Sequence, residues 1–229
     1  LWAMEQRHPF LEEPSDDEKF EKIRSAGFDG ICIDLAAREV EDFKKTQPLF
    51  EQHKLECMVN AFPYALDELN PVLQLAKDFD ACFVNIIGGV MPVDFRDGIP
   101  VVEKWMEDGE SIGMDVLFET HRDSILNDLY YTLQLIEAVP EMRLCADLSH
   151  FVVDREMWTP ISDRDQDYIN QILDRSDCFQ GRVASREQIQ IQIDFPQHQV
   201  WVEIFKKWWR EGPSLIHIFR CRRLHPSTL

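Results

Sequence analysis

A repeat of short apolar run, polar turn and amphipathic helix recurs along nearly the whole chain, and it restricts the fold more than any other feature. Apolar runs open near residues 30, 56, 82, 115, 143 and 178, at spacings of 26 to 35 residues, the length of one strand–helix unit. Strands are expected at 1–4, 30–34, 56–60, 82–87, 115–119, 143–147 and 178–183. Helices are expected near 16–26, 38–52, 66–78, 100–113, 123–138, 163–175 and 197–211. Ser15 and Glu18 form a capping-box pair, and Gly27 stands where a helix would stop. Val40, Phe43, Leu49 and Phe50 share one side of the second helix, suited to packing on a sheet. The strands are too uniformly apolar to have a wet face, which points to a parallel sheet covered by helices.

Alternation of this kind gives a doubly wound sheet or a closed barrel. No GxGxxG or GxxxxGKS turn follows any strand. Polar residues capable of chemistry instead stand at the C-terminal ends of several strands, where barrel active sites are built. The expected class is therefore α/β, a (β/α)8 TIM barrel. Residues 1–213 hold about seven strand–helix units and form the barrel domain. The first run, at Leu1 rather than a Met, reads as cut. Residues 214–229 change character: they contain no Asp or Glu and carry Arg220, Arg222 and Arg223. The expectation is a non-native, vector-like tail replacing the eighth strand and helix. Such a gap would expose strand edges and favour self-association as a homo-oligomer.

The formal charge of −18 argues against a nucleic-acid partner, since such a surface repels phosphate backbones. The six cysteines include no CxxC pair and mostly lie in or beside apolar runs, which reads as buried free thiols in a reducing compartment. No apolar run approaches the ~18 residues needed to cross a bilayer. No signal peptide precedes the first helix, so no membrane partner and a cytoplasmic location are expected.

The chemistry concentrates in three strand ends. Asp115-Val-Leu-Phe-Glu119-Thr-His121-Arg122 closes an apolar strand with a carboxylate, a hard oxygen ligand for Mg²⁺ or Mn²⁺ and a possible acid or base. A salt bridge from Glu119 to Arg122 is the bland alternative. Arg143-Leu-Cys-Ala-Asp147-Leu-Ser-His150 supplies a second carboxylate, with an imidazole three residues on in the following loop. D-x-x-H alone is weak, because helix N-caps often produce it; following the Glu119 strand by one unit, it says more. Gln180 and Arg182, two apart in the 178–183 strand, share a face: the first can offer a carbonyl oxygen, the second can hold an anionic or hydroxyl-rich substrate. An outward Arg on a solvated loop is the alternative. Asn60 and Asn85 could orient a hydroxyl or satisfy buried backbone. Gly88-Gly89 reads as a tight turn, His8 as a residue that could reach the mouth, His53 as helix surface and Trp201, Trp208 and Trp209 as core. The glutamines at 188, 190 and 192 read as an edge strand or extended loop.

FDGICIDL, FVNIIGG, VLFETHRDS and RLCADLSHFVV, in that order and spacing, resemble the xylose isomerase-like TIM barrels, a group of sugar phosphate isomerases and epimerases. The resemblance covers nearly all of residues 1–212. It implies a divalent-metal enzyme (Mn, Mg, Co or Zn) acting on a small-molecule sugar or keto-sugar by proton transfer next to a carbonyl, through an enediolate. It implies Glu119 as catalytic residue and Glu119, Asp147 and Gln180 as metal ligands. His150, Arg182, His121 and Asn60 would face the substrate. Two departures stand out. Gln180 occupies the place of a ligand His, and the Glu of the eighth strand has no counterpart where the sequence changes character. An inactive, truncated barrel is the alternative. An apurinic-site endonuclease of the same fold is a weaker one, since only seven His are present and the charge is −18.

Overall fold

The computed structural model describes residues 9–10 and 12–212. The expected strand at 1–4, His8 and the tail from residue 214 lie outside these residues. The elements run α1 (Asp16–Ser25), β1 (Gly30–Leu35), α2 (Val40–Phe43), α3 (Gln47–His53), β2 (Glu56–Ala61), α4 (Leu69–Asp78), β3 (Val84–Ile86), α5 (Phe95–Ile112), β4 (Val116–Glu119), α6 (Leu129–Ala138), β5 (Leu144–Ala146), α7 (Leu148–Asp154), α8 (Asp163–Leu173), β6 (Ser176–Phe179) and α9 (Gln199–Glu211). No helix among the described residues is long and apolar enough to cross a membrane. The five cysteines among the described residues are free thiols.

The chain divides into two compact units. The first comprises Leu1–Val90 with Val101–Val116, the second Met91–Pro100 with Leu117–Leu229, as far as these are described.

In the first unit β1 and β2 are parallel over Gly30↔Glu56 to Leu35↔Ala61, and β2 and β3 over Val59↔Val84 to Ala61↔Ile86. The capping box forms as read: Glu18 Oε2 accepts from Ser15 N at 2.8 Å, and Glu18 N donates to Ser15 Oγ at 3.3 Å. Gly27 closes α1 at φ +85°, a conformation favouring glycine. Phe20 of α1 packs edge-on against Phe50 of α3 at 4.8 Å. The expected 38–52 helix is broken into α2 and α3 with 3-10 turns at Ala37–Glu39 and Lys44–Thr46, and only Val40 and Phe50 of its four apolar residues are fully buried. His53 is not plain helix surface. Its ring lies tilted beside that of Phe20, its side chain is 8% exposed, and Nε2 lies 2.8 Å from Asp17 Oδ1.

Gly88-Gly89 also has a different reason from the turn expected of it. Neither residue has positive φ; instead a Cβ on Gly88 would strike the ring of buried Trp105, and one on Gly89 the ring of Tyr64. The pair is needed for space.

In the second unit β4 and β5 are parallel over Phe118↔Leu144 and Glu119↔Cys145, and β5 and β6 over Leu144↔Ser176 to Ala146↔Phe179. α8 and α9 are joined where Trp208 Nε1 donates to Gln166 Oε1 at 3.0 Å, with Trp208 fully buried and Trp201 nearly so. The glutamines at 188, 190 and 192 lie in irregular backbone, the loop alternative of the two expected for them. Two expectations fail here. The 178–183 strand ends at Phe179, so Gln180 and Arg182 lie in the loop beyond it. His150 does not sit in a loop: Asp147 caps a short helix, α7, and His150 stands in its first turn.

Replacing Gly88 by Ala should destabilise the protein by about 1–3 kcal/mol, the usual cost of overfilling a packed core. Urea unfolding checks it; an unchanged midpoint would mean that Trp105 moves aside freely.

Candidate active site

Alternate residues of a strand face the same side. Glu119 is registered with Cys145, and Cys145 with Cys178. Two residues further along, Asp147 and Gln180 fall on that same face, just past the ends of β5 and β6. The side chains then converge: Gln180 Nε2 donates to Glu119 Oε2 at 3.0 Å, reaching across β5, which lies between the two strands. Glu119 is only 3% exposed.

Asp147 is completely buried. Its Oδ1 accepts from the backbone N of Ser149 at 3.1 Å and from the Ser149 hydroxyl. Its own N–H donates to Thr120 Oγ1 at 2.8 Å, and Thr120 Oγ1 donates to the Asp147 carbonyl at 3.1 Å. Its Oδ2 makes no hydrogen bond, but stands 3.4 Å from Arg182 Nε and 3.6 Å from His150 Nε2. Burial raises its pKa above the ordinary carboxylate value, opposed by the Arg182 guanidinium and the Ser149 hydrogen bonds. Desolvation wins although the arginine is close.

His150 lies against His121 with ring centroids 4.2 Å apart and the ring planes tilted by 55°. Its side chain is 1% exposed and neither ring nitrogen has a hydrogen-bond partner. Burial depresses its pKa to about 3, helped by His121, Arg182 and Arg122. His121 is lowered in the same direction, first by burial. Both rings are neutral near pH 7, so each can donate at one nitrogen and accept at the other.

Of the residues expected at the site, Glu119, His121, Asp147, His150, Gln180 and Arg182 all lie in this second-unit cluster. Asn60 belongs to the first unit. There its Nδ2 donates to Asp34 Oδ1 at 2.7 Å and its Oδ1 accepts from Asn85 Nδ2 at 2.9 Å, a ladder across β1, β2 and β3 at one level. Sequence reasoning missed Asp34, Thr120 and Ser149. The hydroxyls could have been found from their positions beside Glu119 and inside an N-cap pattern.

Among the described residues no group of three or more His, Cys, Asp and Glu side chains could hold a metal ion. What the site offers is the free buried Oδ2 of Asp147, the Glu119 carboxylate and the carboxamide of Gln180. These are hard oxygen donors. They suit an Mg²⁺- or Mn²⁺-like ion that keeps several waters, and suit Zn²⁺ poorly.

No protein-family model and no curated protein matches the chain. Solved structures do. A xylose isomerase-like TIM barrel protein from Mycobacterium smegmatis, in complex with magnesium, aligns at TM-score 0.56 and 13% identity, over 93% of this chain and 86% of its own. The probable 3-DHS dehydratase AsbF of Bacillus anthracis aligns at 0.55 and 17%, over 82% and 74%. The fold is thereby decided. This chain has the fold of the xylose isomerase-like TIM barrels. A D-allulose 3-epimerase from Methylomonas sp., solved with D-allulose, shares it at TM-score 0.56 and 12% identity over 71% of this chain; the chain spans 64% of that epimerase. The polar residues past β4, β5 and β6 stand at the end of the strands where the active sites of TIM-barrel enzymes are built.

His150 makes stability depend on pH. Unfolded, the ring binds a proton near its ordinary value of 6.5, whereas folded it does so only at about 3. Between these values the unfolded chain holds the extra proton, so stability falls as pH drops. Asp147 acts oppositely: its raised pKa favours the folded state on acidification, and only near the carboxylate range. The melting temperature should therefore decline from about pH 7 to about pH 5, where the histidine governs. His150→Gln should flatten that slope; an unaltered slope would show that the ring is not held neutral.

Proposed function

We propose that this site performs proton transfer next to a sugar carbonyl, as a sugar isomerase or epimerase. The observation that carries the reading is the buried pair Glu119 and Asp147 on one face of neighbouring strands, bound into one cluster with a neutral imidazole. The fold neighbours that act on a sugar or a dehydratable substrate support it.

Glu119 takes the carbon-bound proton and returns it. Its place on the inner face, with Gln180 donating to Oε2, orients the carboxylate for that transfer. His150 meets a substrate hydroxyl or carbonyl oxygen with its unpartnered nitrogens, without adding a cation. Arg182 balances Asp147 and the negative charge that develops on the substrate oxygen. Glu119, Asp147 and Gln180 would hold a divalent cation, whose contribution is to polarise the carbonyl and acidify the neighbouring carbon. A single base on one face serves an isomerisation, in which the proton returns to the side it left. Inversion at carbon needs a second acid on the opposite face.

Glu119→Gln should lower turnover of the responsive keto-sugar by about 10²-fold or more, the usual range for a lost general base, while the melt stays cooperative. Loss of the carbon-bound proton to D₂O, followed by NMR, measures it, and an unreduced exchange rate would remove Glu119 from the mechanism. Mg²⁺ or Mn²⁺ should raise the melting temperature of the wild-type protein but not of Asp147→Asn, which keeps an N-cap side chain for α7. An equal rise in both would exclude Asp147 as a ligand.

A further inference from the structure

The pairing of β5 with β6 is not regular. Leu144 is registered with Ser176, yet the next residue, Cys145, is registered with Cys178. Asp177 is the extra residue of a β-bulge, a device frequent beside active sites and rare in parallel pairs. The bulge changes which residues face inward. In a regular ladder Cys145 would meet Asp177, and the inner face would continue through Phe179 and Gly181. With the bulge it continues through Cys178, Gln180 and Arg182, while Phe179 turns to the other side, where it would meet a Cβ placed on Gly212.

The bulged residue is held. Arg143 grips Asp177 with both ends of its guanidinium, Nε to Oδ2 at 2.9 Å and Nη2 to Oδ1 at 2.7 Å, and Nη1 donates to the Asp174 carbonyl at 3.4 Å. Arg175 reaches back the other way, with Nη2 on the carbonyls of Val139 at 3.0 Å, Met142 at 3.3 Å and Pro140. The two arginines thus cross between the segment entering β5 and the segment entering β6. We infer that the Arg143–Asp177 ion pair is a register clamp, a positioning device that fixes the bulge and thereby turns Gln180 and Arg182 into the site. The clamp acts through those residues and touches no substrate; its catalytic consequence rests on the function proposed above, but its structural effect does not.

Cross-strand NOEs report the register directly, with no reagent that would have to reach the buried Cys145 thiol. In the folded wild-type protein the backbone of Cys145 should give NOEs to Cys178 stronger than any to Asp177. In Arg143→Ala and Asp177→Ala the Cys145–Cys178 cross-peaks should fall about fivefold or more and those to residue 177 take their place, since a one-residue slip sets residue 177 against Cys145. Arg143→Lys should restore part of them. Should the alanine variants not fold, Arg143→Gln and Asp177→Asn, closer in size, carry the same test. Folded variants with the wild-type NOE pattern would overturn the clamp, and a wild type that pairs Cys145 with Asp177 would overturn the register itself. With an active keto-sugar in hand, the same variants should lose kcat/KM in step with the Cys145–Cys178 cross-peaks. If no sugar is turned over by any form, the functional reading fails while the NOE result still decides the clamp.

Discussion

A charged carboxylate with no exposure at all is the most expensive group in this site, and the arrangement around it follows from holding it there. Removing an ion such as Asp147 from water costs several kcal/mol unless hydrogen bonds and an opposite charge replace the solvent. Ser149 provides two hydrogen bonds to Oδ1, one of them from its N–H at the amino end of α7, and Arg182 stands at ion-pair distance from Oδ2. The compensation is partial, since burial still raises the Asp147 pKa. One oxygen is left without a hydrogen bond, and this is where a cation or substrate group would be most strongly stabilised. His150 follows from the same turn. The cap that begins α7 sets the ring within 3.6 Å of that oxygen, and the dry surroundings with two arginines keep it neutral.

The motif D-x-x-H is compatible with both things that it can mean in a sequence. Asp147 is a helix N-cap, the bland reading, and it also falls on the inner face just past β5, the placement that the functional reading needs. A capping aspartate at the end of a parallel strand already has its side chain turned toward the carboxyl end of the sheet, where ligands bind in such folds. The two roles need not compete. What the sequence could not show is that α7 follows β5 directly, because LSHFVVD is only seven residues long and reads as the loop beyond the strand.

Much of the strand pattern was legible for one reason. β1, β2, β4 and β5 are mainly apolar runs flanked by polar residues, and their expected limits differ from those found by no more than one position. Carboxylates at their ends could be read off directly. The last strand could not be bounded, since Cys178-Phe-Gln-Gly-Arg-Val183 alternates well enough to look extended while pairing stops at Phe179, and pairing depends on the neighbouring strand. The surroundings of Asn60 were hidden for another reason. As a strand-end amide it reads as a substrate contact, and the register that sets Asp34 and Asn85 beside it gives it partners from residues 26 before and 25 after it. Side-chain partners across strands are tertiary facts, invisible to a window of ten residues.

The phase of Gln180 and Arg182 shows how little may decide such a fact. β5 and β6 are paired along only Leu144–Ala146, and a ladder that short specifies its register weakly. Its net hydrogen-bond stabilisation is of order 1 kcal/mol per bond, and a slipped ladder would recover nearly all of it. The choice between registers then falls to side chains. The Arg143 and Asp177 side chains are 33% and 26% exposed, so their ion pair contributes about 1 kcal/mol, not the several expected of a dry pair. That is enough. Two registers of nearly equal backbone energy need differ by only about 1.4 kcal/mol for one to outnumber the other tenfold, and a bidentate fork with further carbonyl contacts from Arg143 and Arg175 reaches that difference. Polar groups at the amino ends of β5 and β6 thus govern what faces the chemistry at their carboxyl ends, through the parity of a strand and not through any contact with the site.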